Sequence, residues 1–265
     1  FSDPLNGWAV GHGAAILHSA DAGQSWTRQL DGRGLEQLFV DYFKNRSGLD
    51  AERAESYLSA LLSMTRPGPG QFFMGVWFDK SGTRGYAVGP FGLILASRDG
   101  GATWQPGNTL IENNDLLHLT SVREVGGELY ITGERGRIWR LDRQGERFVV
   151  GEVGYDGTLF GVTGSGSTLL AYGLRGHVFR SADAGRNWAP VSNELNAGIT
   201  GGTAIDGLGM VLVSQAAQVA ISRDKGSSFE LLSVPKPTLY TGVVSIAGGQ
   251  LAMVGLNGVT TLQIQ

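Results

Sequence analysis

Cysteine is absent from this chain, which excludes disulfides and thiolate metal sites and is neutral between cytosol and export. No apolar run approaches the roughly 18 residues that a membrane-spanning helix requires. Charge is sparse, at 17% of residues with a net −3 and no run of Lys or Arg. That balance argues against nucleic acid or an acidic membrane surface as a partner. No Gly-x-Ser-x-Gly elbow and no phosphate-binding loop occur; Gly164-Ser165-Gly166-Ser167 reads as a hairpin turn. His12, His18, His118 and His177 are too scattered to be metal ligands by spacing, and no cofactor is implied. The Trp-Asp dipeptide is also missing, which counts against a WD40 assignment.

What is abundant is glycine, 42 of 265 residues against a usual share of about 7%. Much of it is periodic. Four copies of the turn Ser-x-Asp-x-Gly-x-x-Trp/Phe are present: Ser19-Asp21-Gly23-Trp26, Ser97-Asp99-Gly101-Trp104, Ser181-Asp183-Gly185-Trp188 and Ser222-Asp224-Gly226-Phe229. Each aromatic stands 15 residues after a small residue, namely Gly11, Gly89, Gly173 or Ser214. A degenerate copy keeps the offset with Gly133, Gly145 and Phe148 but has Leu141 and Arg143 in place of Ser and Asp. A sixth opens at Gly255 and reaches Gln265 before its box. Three positions after the column residue stands another small one: Ala14, Gly92, Gly136, Gly176, Ala217 or Gly258. From Gly89 onward the copies recur every 40 to 44 residues, whereas Gly11 and Gly89 are 78 apart and enclose an insertion.

Short apolar runs fill the space between these columns. Glu128–Thr132, Gly209–Val213 and Gln250–Val254 are examples, each bounded by turn residues. The repeat therefore parses as strand A, glycine turn, strand B, Gly-x-x-Gly/Ala turn, strand C, Asp-containing turn, strand D. Four antiparallel strands at a period near 40 residues make a propeller blade. The fold expected is an all-β propeller over residues 1–265, six blades visible, with an insertion at 31–70. Phe1-Ser2-Asp3 aligns with Phe78-Asp79, and the sixth copy offers strands near 241–246, 250–254 and 259–264 but no fourth. Residues upstream of Phe1 are expected to complete the last blade, with a seventh blade possible there.

Inside the insertion Leu35, Leu38, Phe39, Tyr42 and Phe43 follow helical spacing as far as Ser47-Gly48. Asp50 can cap a second helix that puts Ala54, Leu58, Leu61 and Leu62 on one face beside Tyr57. Pro67-Gly68-Pro69-Gly70 stops it, and a strand over Phe72–Phe78 follows. Helices this short need a docking surface. The hairpin packs on itself and the propeller, or binds a partner through residues such as Phe39, Phe43 and Tyr57, and the two roles are not exclusive.

The Ser-x-Asp-x-Gly-x-x-Trp turns resemble the Asp-box (BNR) repeat of sialidase-like propellers. With Gly7-Trp8-Ala9-Val10-Gly11 ahead of Ile16–Gly23, the pattern looks more specifically like the Ycf48-like propellers related to photosystem II assembly factors. The resemblance spans nearly all of the chain outside 31–70. It implies a non-catalytic protein-binding or assembly propeller that works with a membrane-protein complex or transporter. It also implies an extracytoplasmic location, the periplasm or thylakoid lumen. A sialidase-like hydrolase or glycan-binding propeller is the alternative, because Asp boxes occur on enzymes and non-enzymes alike. The boxes themselves read as structural: the carboxylates of Asp21, Asp99, Asp183 and Asp224 can bind backbone N–H groups across their own turns. Trp26, Trp104, Trp188 and Phe229 are expected to pack between adjacent sheets.

Topology sorts the turns. B-to-C turns and D-to-A connections share one face of a propeller, opposite the C-to-D boxes. The insertion therefore falls on the face of His12, Arg135, Arg137, Arg175 and His177. The Ycf48-like resemblance implies an arginine patch that meets membrane proteins, and Arg135 and Arg175 match it by repeat position with Arg137 nearby. A sialidase would need three clustered arginines, a Tyr nucleophile with a Glu partner, and an acid/base Asp. Glu134, Tyr130, Tyr155 and Tyr172 are near suitable strands, but no local motif ties them together and the Phe/Tyr-Arg-x-Pro signature is missing. The purified protein should accordingly release no methylumbelliferone from sialic-acid or hexose glycosides. Steady release abolished by mutating a single carboxylate would overturn this reading.

Overall fold

The computed structural model describes residues 1–44, 59, 72–144 and 146–264. The second expected helix with Tyr57, the Pro67–Gly70 stop, Gly145 and the side chain of Phe43 lie outside the described residues. The fold is a six-bladed β-propeller of antiparallel sheets, and the chain divides into two compact units, Phe1–Val122 and Arg123–Gln265.

In the first unit β1 (Gly7–Val10), β2 (Ile16–Ser19) and β3 (Thr27–Leu30) form a three-stranded blade. Helix α1 (Gly32–Lys44) follows, then β4 (Gly75–Phe78), β5 (Gly85–Val88), β6 (Ile94–Ser97) and β7 (Gln105–Pro106) as a four-stranded blade. The strand expected from Phe72 begins at Gly75; Phe72 itself makes a single bridge to His12. Strand β8 (Leu119–Val125) crosses the boundary and joins β9 (Glu128–Gly133), β10 (Arg137–Asp142) and β11 (Arg147–Glu152) in the third blade.

The second unit continues with β12 (Leu159–Ser165), β13 (Thr168–Gly173), β14 (Val178–Ser181) and β15 (Ala189–Pro190). The fifth blade is β16 (Ile199–Ile205), β17 (Gly209–Ser214), β18 (Val219–Ser222) and β19 (Glu230–Leu232). The sixth is β20 (Tyr240–Ile246), β21 (Gln250–Gly255) and β22 (Gly258–Gln263), with three strands among the described residues. Register slips by one residue at Gly161, Gly201 and Gly242, the same place in three successive A strands. A Cβ at Gly201 would lie 2.9 Å from the Gly242 Cα, so these inner strands approach too closely for a side chain.

The four boxes share one network. Each serine hydroxyl is buried, donates to its aspartate at 2.8–2.9 Å, and accepts the N–H of the box glycine at 2.8–2.9 Å. Four residues after the aspartate stands a donor in every copy: Ser25, Thr103, Asn187 or Ser228. Its backbone N–H and its side chain both bind the carboxylate, at 2.6–2.9 Å. The residue after the aspartate is left-handed in each case: Ala22, Gly100, Ala184 and Lys225 have φ of 57–73°. Its N–H reaches the A–B turn of the same blade (Ala22 to Leu5 O, Gly100 to Thr83 O, Ala184 to Ser167 O). Its carbonyl accepts from the preceding blade: Gly100 from Trp8 and Gln29, Ala184 from Tyr130, Lys225 from Arg180.

Where the box is missing, the strands run on. β10 and β11 pair over six residues, through Leu141 with Phe148 and Asp142 with Arg147, whereas β7 and β15 have two residues each. A box ends strand C by turning its last serine into the turn; without that serine the ladder simply continues.

The box aromatics are not equivalent, contrary to the expectation that all four pack between sheets. Trp104 is 6% exposed, whereas Trp188 and Phe229 are half-buried and Trp26 is 38% exposed. The difference lies in what covers them. Helix α1, capped by the Asp31 carboxylate at the N–H groups of Arg33 and Gly34, docks on β7. Its Leu35 and Phe39 join Ala14, Phe73, Phe78, Leu95 and Trp104 in one core cluster. Phe78 in turn stacks on Trp8 at 3.8 Å and meets Trp104 edge-on at 5.7 Å. Phe39 is only 1% exposed, so it belongs to this core and cannot line an open partner-binding surface, as its helical spacing alone had suggested.

Two outcomes follow from this packing. Trp104→Ala and Phe39→Ala should each cost about 3–5 kcal/mol in urea melts, as cavities in a closed core. Trp26→Ala should cost less, about 1–2 kcal/mol, because the ring is 38% exposed and gives up only its bond to Gly23 O and its edge contact with Phe1. The boxes also set the acid limit. The side-chain donor four residues on, then its N–H, holds Asp21 and Asp224 at about 2, and the same donors lower Asp99 and Asp183. The unfolded carboxyl titrates near about 3.9. Because the folded values are depressed, the stabilisation is complete above the unfolded value and is lost as pH falls from there through about 2. Denaturant midpoints followed from pH 6 to 2 should therefore be flat and then fall. Asp224→Asn should soften the fall.

Candidate functional site

The B-to-C turns of the third and fourth blades are Gly133-Glu134-Arg135-Gly136 and Gly173-Leu174-Arg175-Gly176. In each, two successive residues are left-handed: Arg135 and Gly136 at 52° and 62°, Arg175 and Gly176 at 57° and 79°. Arg137 N–H closes the first onto Glu134 O at 3.1 Å, and His177 N–H closes the second onto Leu174 O at 3.3 Å. This is the type I′ hairpin turn, whose twist matches the flanking strands. Glycine takes its place without strain. An arginine in the left-handed region costs about 1–2 kcal/mol, and both Arg135 and Arg175 are exposed at the tips.

Tyr155 ties the two turns together. Its loop, residues 153–158, leaves β11 and lies on the first turn: Gly136 N–H donates to Gly157 O at 2.8 Å, and Val153 N–H to Gly136 O at 3.2 Å. A Cβ at Gly136 would stand 2.1 Å from the Tyr155 carbonyl oxygen, so only glycine admits the approach. The Tyr155 side chain serves the second turn. Its hydroxyl donates to Leu174 O at 3.4 Å and lies 3.5 Å from His177 Nδ1. Its ring stacks on His177 at 4.6 Å and 25°, with Phe179 at 5.3 Å. His177 Nδ1 is 3.0 Å from Leu174 O, a distance that suits the tautomer protonated there. Burial raises the Tyr155 hydroxyl pKa, and the charge of Arg175 opposes that rise.

The expected residues separate accordingly. Arg175 and His177 lie beside the Tyr155 side chain, and the turn that carries Arg135 meets the Tyr155 loop through Gly136. Arg137 pairs with its cross-strand neighbour Glu152, which neutralises it locally. Arg175 has no ion-pair partner among the described residues. His12 lies in the first unit against Phe72, ring centres 5.7 Å apart. The equivalent turn of the second blade carries Phe91, left-handed and exposed, edge-on to His118 at 4.5 Å. Sequence reasoning missed Tyr155 as the joint. Its signal was Gly157, where a Cβ would fall 2.1 Å from the tyrosine ring.

A hydrolytic reading finds no support in the three tyrosines. Burial raises the pKa of Tyr130, Tyr155 and Tyr172, the reverse of what a nucleophile needs. Tyr130 also spends its hydroxyl on the Ala184 carbonyl at 3.1 Å. Among the described residues no cluster of His, Asp or Glu could hold a metal ion, and no helix is long and apolar enough to cross a membrane.

A family model described as photosynthesis system II assembly factor YCF48 matches residues 69–233. No curated protein matches the sequence. The fold is similar to a solved structure titled "YCF48 bound to D1 peptide", with TM-score 0.65, 17% identity, and coverage of 99% of this chain and 77% of that one. It is also similar to YCF48 from Cyanidioschyzon merolae, with TM-score 0.50, 14% identity, and coverage of 73% and 71%. A structure of U3-55K shares the fold at TM-score 0.62 and 12% identity, covering 97% of this chain and 77% of that one.

Proposed function

The chain belongs to the family of the photosystem II assembly factor YCF48, and from that membership we propose that its basic rim holds a subunit of a membrane-protein complex or transporter during assembly. Members of that family are assembly factors and not enzymes. The observation that carries the reading is the pair of exposed arginines, Arg135 and Arg175, held in left-handed turns on either side of Tyr155. Glycine would fit either turn with less strain, and Arg175 has no ion-pair partner among the described residues, which supports a role for its guanidinium group toward a group outside the molecule. Two guanidinium groups suit carboxylates of an acidic segment, each offering paired N–H donors. A structural relative is described as bound to D1 peptide, which supports a peptide segment as the ligand class. We place the protein outside the cytoplasm, in a periplasm or thylakoid lumen, because the resemblance is to proteins that act there.

Charges at a rim act chiefly on encounter rate and salt dependence. Arg135→Glu with Arg175→Glu should therefore reduce capture of identified membrane-complex subunits from detergent-solubilised membranes by about tenfold or more at low salt. The difference should shrink at high salt, where screening is stronger. Equal capture by the double variant at low salt would overturn the rim as the binding face.

A further inference from the structure

We propose that the Tyr155–His177 stack is a recognition platform for a planar side chain, so that the rim prefers acidic peptides that also carry an aromatic residue. This deepens the preceding reading and rests on it. Three observations lead here. First, His177 is exposed even though it is stacked on Tyr155 at 4.6 Å, so part of its ring surface faces solvent. Second, the ring is held in place. Its Nδ1 lies 3.0 Å from Leu174 O and 3.5 Å from the Tyr155 hydroxyl, and the buried Phe179 lies parallel to it at 6.5 Å and 13°. A ring fixed in this way loses little freedom when a ligand stacks on it. Third, Arg175 is two residues away on the same turn and without an ion-pair partner among the described residues, and the adjoining Leu174 is 39% exposed. A cation, an apolar side chain and an exposed aromatic residue are thus presented together. An extended peptide places alternate side chains on one side, so an acidic residue and an aromatic residue close in sequence can reach Arg175 and His177 together.

The test uses the intact chain and three unlabelled peptides, acetyl-Asp-Gly-X-Gly-Asp-amide with X as Phe, Leu or Gly, so that X and both acids fall on one side of an extended chain, measured by isothermal titration calorimetry. Aromatic pairing beyond buried area should favour the Phe peptide over the Leu peptide by about two- to tenfold. His177→Ala should abolish that preference and leave the Leu peptide nearly unaffected, while His177→Tyr should keep it. Arg175→Glu should weaken all three peptides. The His177 ring proton resonances should move on adding the Phe peptide and not the Gly peptide. Equal affinity for Phe and Leu peptides, with both weakened by Arg175→Glu, would overturn the platform and leave the basic rim standing. Loss of preference in both His177→Ala and His177→Tyr would also overturn it, since the ring itself would not be what is read. If no peptide binds, and Arg135→Glu with Arg175→Glu leaves membrane-subunit capture unchanged, the rim reading falls and the platform falls with it.

Discussion

The architecture depends on one residue per Asp box, the one directly after the aspartate. In Gly100 and Ala184 its N–H is bonded to the A–B turn of its own blade and its carbonyl to a side chain of the blade before. A left-handed backbone is what lets both groups point outward from the turn, toward different neighbours. The aspartate, its serine and the donor four residues on hold that backbone in place. The carboxylate is therefore a structural group whose effect extends to the next blade, although it never leaves its own turn. This explains why all four box aspartates have lowered pKa values, held by hydrogen bonds within their own turns.

The opposite ends of the strands are built with the same economy but to a different end. There the type I′ turns need only glycine, yet two carry arginine and one carries phenylalanine at the strained position. The boxes accept the same left-handed cost, and at Gly100 and Ala184 both backbone polar groups are used inside the fold. Tyr155 separates the two cases, since it connects the arginine turns without belonging to either of them and gives the rim a fixed aromatic centre.

Helix α1 illustrates how a pattern can be legible while the role it serves stays open. Its apolar spacing was legible, and so was its dependence on a surface to dock on. Which surface was not, because Leu35 and Phe39 look alike on a helical wheel whether they face a partner or a blade. The helix covers Trp104, and that is why this box aromatic is buried while Trp26 stays 38% exposed.

The periodicity of glycine and the serine–aspartate turns determined the blades, their strand order and the two ends of each strand, because these depend on local backbone geometry that repeats with the sequence. The donor at the fourth position after each aspartate was legible too, since Ser25, Thr103, Asn187 and Ser228 stand in register. Trp8 and Tyr130, which meet the Gly100 and Ala184 carbonyls, share a column three residues before Gly11 and Gly133, whereas tertiary structure alone decided the donors Gln29 and Arg180, which share none. It alone paired Arg137 with Glu152, buried Phe39, and set Tyr155 between two turns 40 residues apart. Those outcomes depend on distances between segments remote in sequence, and a one-dimensional repeat carries the spacing of turns but not the contacts made across them.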